Sequence, residues 1–130
     1  LWERFPWLGT GLGTFREGFP LAAPASLLGD AIWRDAHNDY LELLATTGLV
    51  GAALVATGLV VLLAALTRRL RNGERSEDRA AALAALGALV AVAVHSCFDF
   101  GLSMPANSAT LAVLCGAALG VSELPRSTPS

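Results

Sequence analysis

The sequence predicts an all-α fold of the polytopic membrane type, and three observations carry that prediction. Hydrophobic residues make up 54% of the 130-residue chain and charged residues 15%, with no lysine, whereas a soluble domain of ordinary composition carries about 25% charge. Mean hydropathy is +0.55. Two runs of 19 residues without Asp, Glu, Lys or Arg, Gly48 to Leu66 and Ala80 to Phe98, flank a connector that holds five of the nine arginines. Ala-rich core helices of a large soluble protein are the competing explanation, but paired uncharged runs of this length around an arginine-rich connector are rare there.

Residues 1–47 read as an outer loop segment. Trp2, Phe5, Trp7, Phe15, Phe19 and Trp33 are scattered among Gly and Pro without a helical or alternating period, which suits a segment lying at the membrane interface. Within it, "GTGLGTF" (Gly9 to Phe15) is no dinucleotide fingerprint: Thr14 stands where the third glycine belongs, no Gly-Lys-Ser/Thr follows, and no strand precedes it. A structural turn and a backbone turn that approaches an anion both remain open for it.

The transmembrane region is read as residues 48–121, in three spans. The first, 48–66, covers roughly 28 Å at 1.5 Å per residue, about the hydrocarbon thickness of a bilayer. The second, 80–98, is interrupted only by His95 and Ser96 near one end, and its small residues Ala80, Ala84, Gly87, Ala88 and Ala91 form a candidate face for close helix approach. The third, 103–121, carries Pro105, Asn107 and Ser108 at its start and either spans with a broken first turn or re-enters. Residues 122–130, "SELPRSTPS", are expected to be a disordered cytoplasmic tail.

Arginine sets the expected orientation. The connector Thr67 to Arg79 carries Arg68, Arg69, Arg71, Arg75 and Arg79 and is cytoplasmic by the positive-inside tendency. Residues 1–47 and the "HSCFDFGLSMPAN" turn then lie outside, and both histidines with them. The chain begins at Leu1 without a cleavable signal, so it is expected to be part of a longer protein whose N-terminal partner helices precede it.

Several function classes are set aside. A net charge of −2 with no basic face argues against nucleic acid, which needs clustered Lys and Arg. Cys97 and Cys115 are expected to be buried apolar filler, not a disulfide. Two His and two Cys are too few for a structural zinc site; no metal or other cofactor is expected.

The densest ionisable cluster is "RDAHNDYLELLATTG", residues 34–48. His37 offers an imidazole, the side chain suited to proton transfer near neutral pH, with Asp35 or Asp39 available to orient its other nitrogen. Arg34 lies three residues earlier and suits a phosphate or diphosphate. A base beside an anion clamp at a membrane surface suggests transfer from a phosphate-linked lipid; plain interfacial anchoring is the competing reading. His95 and Asp99, four residues apart, share a helix face and read equally as a functional pair or as the polar contact that sets the packing of the second and third spans.

"WLGTGLGTF", "AHNDYLELLATTGLVG", the Arg-rich loop and "HSCFDFGLSMPANSATLAVLCGAALG", in that order over roughly residues 4–121, resemble the C-terminal part of the O-antigen ligase and polymerase superfamily. The most specific piece is His37-Asn38 with a glycine eleven residues after the histidine. The resemblance implies a C-type, inverting, metal-independent glycosyltransferase of the bacterial cytoplasmic membrane with its active site outside. Its implied substrates are an undecaprenyl-diphosphate-linked glycan and a lipid or polysaccharide acceptor, attacking through a hydroxyl or amide. His37 takes the place of the family's outer-loop histidine as general base, with Asn38 beside it. Arg34 and Arg4 match the family's diphosphate-binding arginines more loosely; Asp35, Asp39, His95 and Asp99 are supporting candidates on their own chemistry and spacing. A membrane carrier for solute or bicarbonate, with His95 and Asp99 lining the path, is the alternative, and a noncatalytic assembly subunit is a third.

Overall fold

The computed structural model describes residues 1–24 and 36–120, and these are helical with no strand among them. A 3-10 turn, Trp2–Arg4, precedes α1 (Phe15–Ala22); α2 is Asp39–Asn72, α3 is Ser76–His95 and α4 is Pro105–Gly120. Helices α2 and α3 are long and apolar enough to cross a membrane, while α4, at 16 residues, is apolar but shorter. Where the sequence suggests three spans, the structure thus has two helices of spanning length and one short apolar helix. The segment read as outer loop, 1–47, holds α1 and the first turns of α2.

Helix α2 starts where its polar residues dictate. Asn38 has extended backbone angles, and its side chain accepts the Leu41 N–H, a side-chain cap that satisfies one of the orphan donors of the first turn. The helix is then broken at Gly48, whose φ of 64° and ψ of −167° lie in a region essentially reserved for glycine. A break inside an apolar helix exposes backbone polar groups that hydrocarbon cannot satisfy. Residues 6–11 satisfy them: the Leu49 and Val50 amides donate to the Pro6 and Trp7 carbonyls, at 2.8 and 3.1 Å, and the Thr10 and Gly11 amides donate to Ala45 and Thr46, at 3.2 and 2.8 Å. The approach is so close that a Cβ on Gly48 would stand 2.4 Å from the Trp7 carbonyl, and one on Gly9 2.3 Å from that of Thr46. "GTGLG" is therefore a structural clasp on α2, its Thr10 and Gly11 amides committed to the helix and not available to an anion.

The connector read as a loop over 67–79 is mostly helix. Only residues 73–75 separate α2 from α3, because Arg is a good helix former and the Arg69 carbonyl accepts the Gly73 amide to close the turn. Arg69 pairs with the buried Asp78 at 3.2 Å and donates to the Leu119 carbonyl, tying the ends of α2, α3 and α4. The adjoining core holds Leu66, Ala85, Cys115 and Ala118, with Leu62, Leu86, Leu89 and Leu111 packed against it.

Helix α3 buries Ala82 and Ala85, whereas Ala80, Ala84, Gly87 and Ala91 of the expected packing face are exposed. Alanine covers both faces of this helix, so small size alone does not select one. Helix α3 also ends at His95, short of the span boundary read at Phe98, where the Asp99 carboxylate accepts the next residue's amide and turns the chain. Pro105 opens α4 at the one helical position that loses nothing by lacking an N–H. Cys115 is buried as expected; Cys97 is exposed and is not core filler. Much apolar side-chain surface stays uncovered, Leu54, Val60 and Val61 among it, as suits helices surrounded by lipid or by further helices. The tail 122–130 and the segment containing Trp33, Arg34 and Asp35 lie outside the described residues.

Candidate functional site

The start of α2 meets the turn after α3, and their polar side chains form one cluster. Asp39 is its centre. Its carboxylate is buried and accepts from the Ser96 hydroxyl at 2.8 Å, the Leu102 amide at 2.9 Å, and the Ser103 amide and hydroxyl at 3.2 and 3.1 Å. Its own amide donates to the Ser96 carbonyl at 3.0 Å. Asn38 adds a second bridge, its side-chain amide donating to the Cys97 carbonyl at 2.9 Å, and the Tyr40 hydroxyl a third, donating to Ala93 at 2.8 Å. Glu42 accepts from the Ala36 amide at 3.1 Å. Every one of these contacts joins residues that fall on either side of His37 to the rest of the fold.

His37 itself has a φ of 48°, the one positive value at a non-glycine among the described residues. Left-handed backbone costs an L-residue roughly 1–2 kcal/mol, so the tied neighbours on both sides hold a conformation the residue would not choose alone. The consequence is an imidazole turned outward, with its side chain 71% exposed. Its Nδ1 lies 3.6 Å from Asp99 Oδ1, and its ring meets Phe100 edge-on with centroids 5.1 Å apart. That nitrogen–oxygen distance lies just beyond hydrogen-bond length.

Asp99 therefore takes the position the sequence offered to Asp35 or Asp39: Asp39 points inward and is fully engaged, and Asp35 is outside the described residues. The other oxygen of Asp99 stands 3.9 Å from His95 Nε2, too far for the hydrogen bond expected across one helix face, because α3 stops at His95 and Asp99 is on the turn. The two imidazoles flank one carboxylate. The ring of His95 fits against Gly101, where a Cβ would come within 2.9 Å of it, and an apolar groove of about 260 Å³ lined by Val92, Leu102 and Leu111 opens beside it. The polar tie between α3, its following turn and α2 is made by Asp39 with Ser96 and Ser103. Ser96 interrupts the apolar run of the second span, and a serine there signals that a polar partner is near; Ser103 carries no such signal.

Arg4 is on the 3-10 turn, and its guanidinium donates to the Leu21 carbonyl at the end of α1. No contact among the described residues joins it to His37, Asn38 or Asp99. Arg34 falls outside the described residues.

Among the described residues these features define an all-helical protein with two helices of membrane-crossing length and an exposed imidazole–carboxylate cluster at one end of them. Residues 1–56 match the family model described as O-antigen ligase. That stretch of the chain is thus similar to O-antigen ligases. The two helices of membrane-crossing length fit a membrane location. The matched stretch contains His37, Asn38, Asp39, the break at Gly48 and the clasp that fills it. Neither curated proteins nor solved structures give a match to the chain.

Proposed function

We propose that the protein moves a glycan from an undecaprenyl-diphosphate carrier to an acceptor hydroxyl or amide on the outer side of the cytoplasmic membrane, as an O-antigen ligase or polysaccharide polymerase, with His37 as general base. The observation that carries this reading is the outward imidazole of His37, backed by Asp99 and held on a backbone fixed from both sides, within the segment matching the O-antigen ligase family. His37 Nε2 takes the acceptor proton as the acceptor atom bonds to the anomeric carbon. The bond from that carbon to the carrier phosphate breaks, its electron pair leaves with the diphosphate, and the configuration inverts. Asp99 acts as a positioning residue, holding Nδ1 and facing the charge that develops on the ring. Arg34 and Arg4 are the arginines of this chain proposed to neutralise the departing diphosphate, Arg4 by leaving or sharing its contact with Leu21.

The carrier alternative is not favoured by the geometry. A transport site at a broken helix uses the freed backbone to bind its cargo, and at Gly48 those groups are occupied by residues 6–11. The test is His37→Ala in the intact protein, assayed for transfer of an undecaprenyl-linked glycan in membranes. Loss of a general base lowers the rate about 10²- to 10⁴-fold. Near-normal transfer by this variant refutes the role.

A further inference from the structure

At the opposite end of α2 and α3 from His37, five arginines gather within residues 68–79, against Glu74, Glu77 and Asp78. They are not all used alike. Arg69 is structural: its terminal nitrogens are held by Asp78 and the Leu119 carbonyl, and it is largely buried. Arg79 donates to the Gly73 carbonyl at 2.9 Å. Arg68 and Arg75 form no side-chain hydrogen bond or ion pair among the described residues, yet both line a cavity of about 530 Å³ whose walls also include Ala65, Arg69, Asp78 and Leu119. Glu74 lines it too. Asp78 is already neutralised by Arg69, so the charge left facing the cavity is that of Arg68 and Arg75 against Glu74. Arg69 also lines the cavity, and its Nε is buried without an acceptor.

We infer that this cavity is a phosphate-binding site that takes the headgroup of an anionic phospholipid from the leaflet at the arginine-rich end. The placement carries the identity of the ligand. The cavity lining includes apolar Ala65 of α2 and Leu119 of α4 beside the arginines, and it lies where two helices of membrane-crossing length meet their connector, the depth at which lipid phosphates sit. Basic pockets between membrane helices bind anionic headgroups for this reason, each nearby arginine contributing about a fivefold gain in affinity. Arg68 and Arg75 would hold the phosphate oxygens while the acyl chains run along the uncovered apolar flank of α2. The inference rests on α2 and α3 crossing a bilayer and is independent of the chemistry at His37.

Native mass spectrometry of the intact protein released from detergent tests it, with added phosphatidylglycerol, phosphatidylcholine or inorganic phosphate. Phosphatidylglycerol should be retained in preference to phosphatidylcholine. Arg68→Gln with Arg75→Gln should weaken that retention about 25- to 30-fold, and each single exchange about fivefold. The single variants serve if the double variant does not accumulate. Failure of inorganic phosphate to displace the lipid identifies a lipid site; displacement at millimolar phosphate shows that the same pocket takes the free anion. Equal retention of both lipids, or undiminished phosphatidylglycerol on the double variant, overturns the inference. Resistance of the protein to alkaline extraction from membranes checks the spanning reading separately, and glycan transfer by the double variant should be unchanged.

Discussion

Alanine at Gly48 and alanine at Gly58 are chemically the same change ten residues apart on one helix, and the structure gives them opposite consequences. At Gly48 the backbone has a φ of 64° and a ψ of −167°, a conformation that costs a residue bearing a Cβ about 1–3 kcal/mol. The new methyl would also lie 2.4 Å from the Trp7 carbonyl and 2.6 Å from the Gly9 amide, so the clasp must withdraw. Withdrawal removes the four hydrogen bonds from residues 6–11 to residues 45–50, at a net of roughly 1 kcal/mol each in water and more in an apolar setting. The combined loss is about 5 kcal/mol. At Gly58 nothing lies within 4 Å of the added Cβ, and the exchange gains up to about 1 kcal/mol in helix propensity. Hydrogen exchange of the intact protein in detergent, resolved to peptides covering 8–14 and 44–52, reads the difference directly. Gly48→Ala should lower protection of the Thr10, Gly11, Leu49 and Val50 amides by about a hundredfold or more, a factor worth roughly 2.7 kcal/mol. Gly58→Ala should leave these amides unchanged. Equal protection in both variants refutes the clasp.

Two further predictions concern the cluster around His37. Asp99→Asn keeps the shape of the side chain but removes its charge from beside Nδ1, so kcat should fall tenfold or more with KM little changed, as measured by transfer kinetics over a range of acceptor concentrations; an effect on KM alone would make Asp99 a binding group instead. Asp39→Ala leaves the Leu102 and Ser103 amides without their buried acceptor, at a cost of about 3 kcal/mol or more, and should lower both membrane abundance and thermal stability in detergent. An Asp39→Ala protein as abundant and stable as the parent would show that the turn after α3 is held by other contacts.

How much of this was legible beforehand differs from element to element, for physical reasons. The apolar run from Gly48 is a local signal, written in adjacent residues, and it reappears in α2. The break at Gly48 is not local. A glycine inside an apolar helix is also a common packing residue, and only the clasp, some forty positions upstream, forces the unusual dihedral angles. The same applies to the partner of His37. Asp35 and Asp39 are its sequence neighbours, but Asp39 occupies the first turn of α2 and faces the Ser96 hydroxyl and the turn amides, while Asp99 arrives from the far end of α3. The packing face of α3 was unreadable because alanine lines it on both sides, and the extension of α2 through Arg68, Arg69 and Arg71 because a charged run marks the end of a membrane span but not the end of a helix.

The side chains at the mouth divide by what capacity they have left. Asn38 spends its oxygen on Leu41 and its amide on Cys97, Asp39 accepts four bonds, and the Tyr40 and Ser96 hydroxyls each have a committed donor. Saturated polar groups in a packed setting resist rearrangement and so define where the unsaturated ones stand. Those are His37 and His95, with Asp99 between them at 3.6 and 3.9 Å, its carboxylate engaged only by the Phe100 amide, and each is at least half open or nearly so. A reactive group held on a rigid frame but not itself bonded into it can meet a substrate without first breaking a native contact. Exchanges in the first set should therefore change how much folded protein is present, and exchanges in the second should change how fast it turns over. His37→Ala makes that division sharp: with the side chain 71% exposed, its removal belongs with surface changes of about ±0.5 kcal/mol, and relief of the left-handed backbone is not available because alanine keeps its Cβ. A His37→Ala protein that lost its thermal stability while the surviving folded fraction transferred glycan at the parent rate would place the imidazole in the frame, and the base would have to be sought elsewhere.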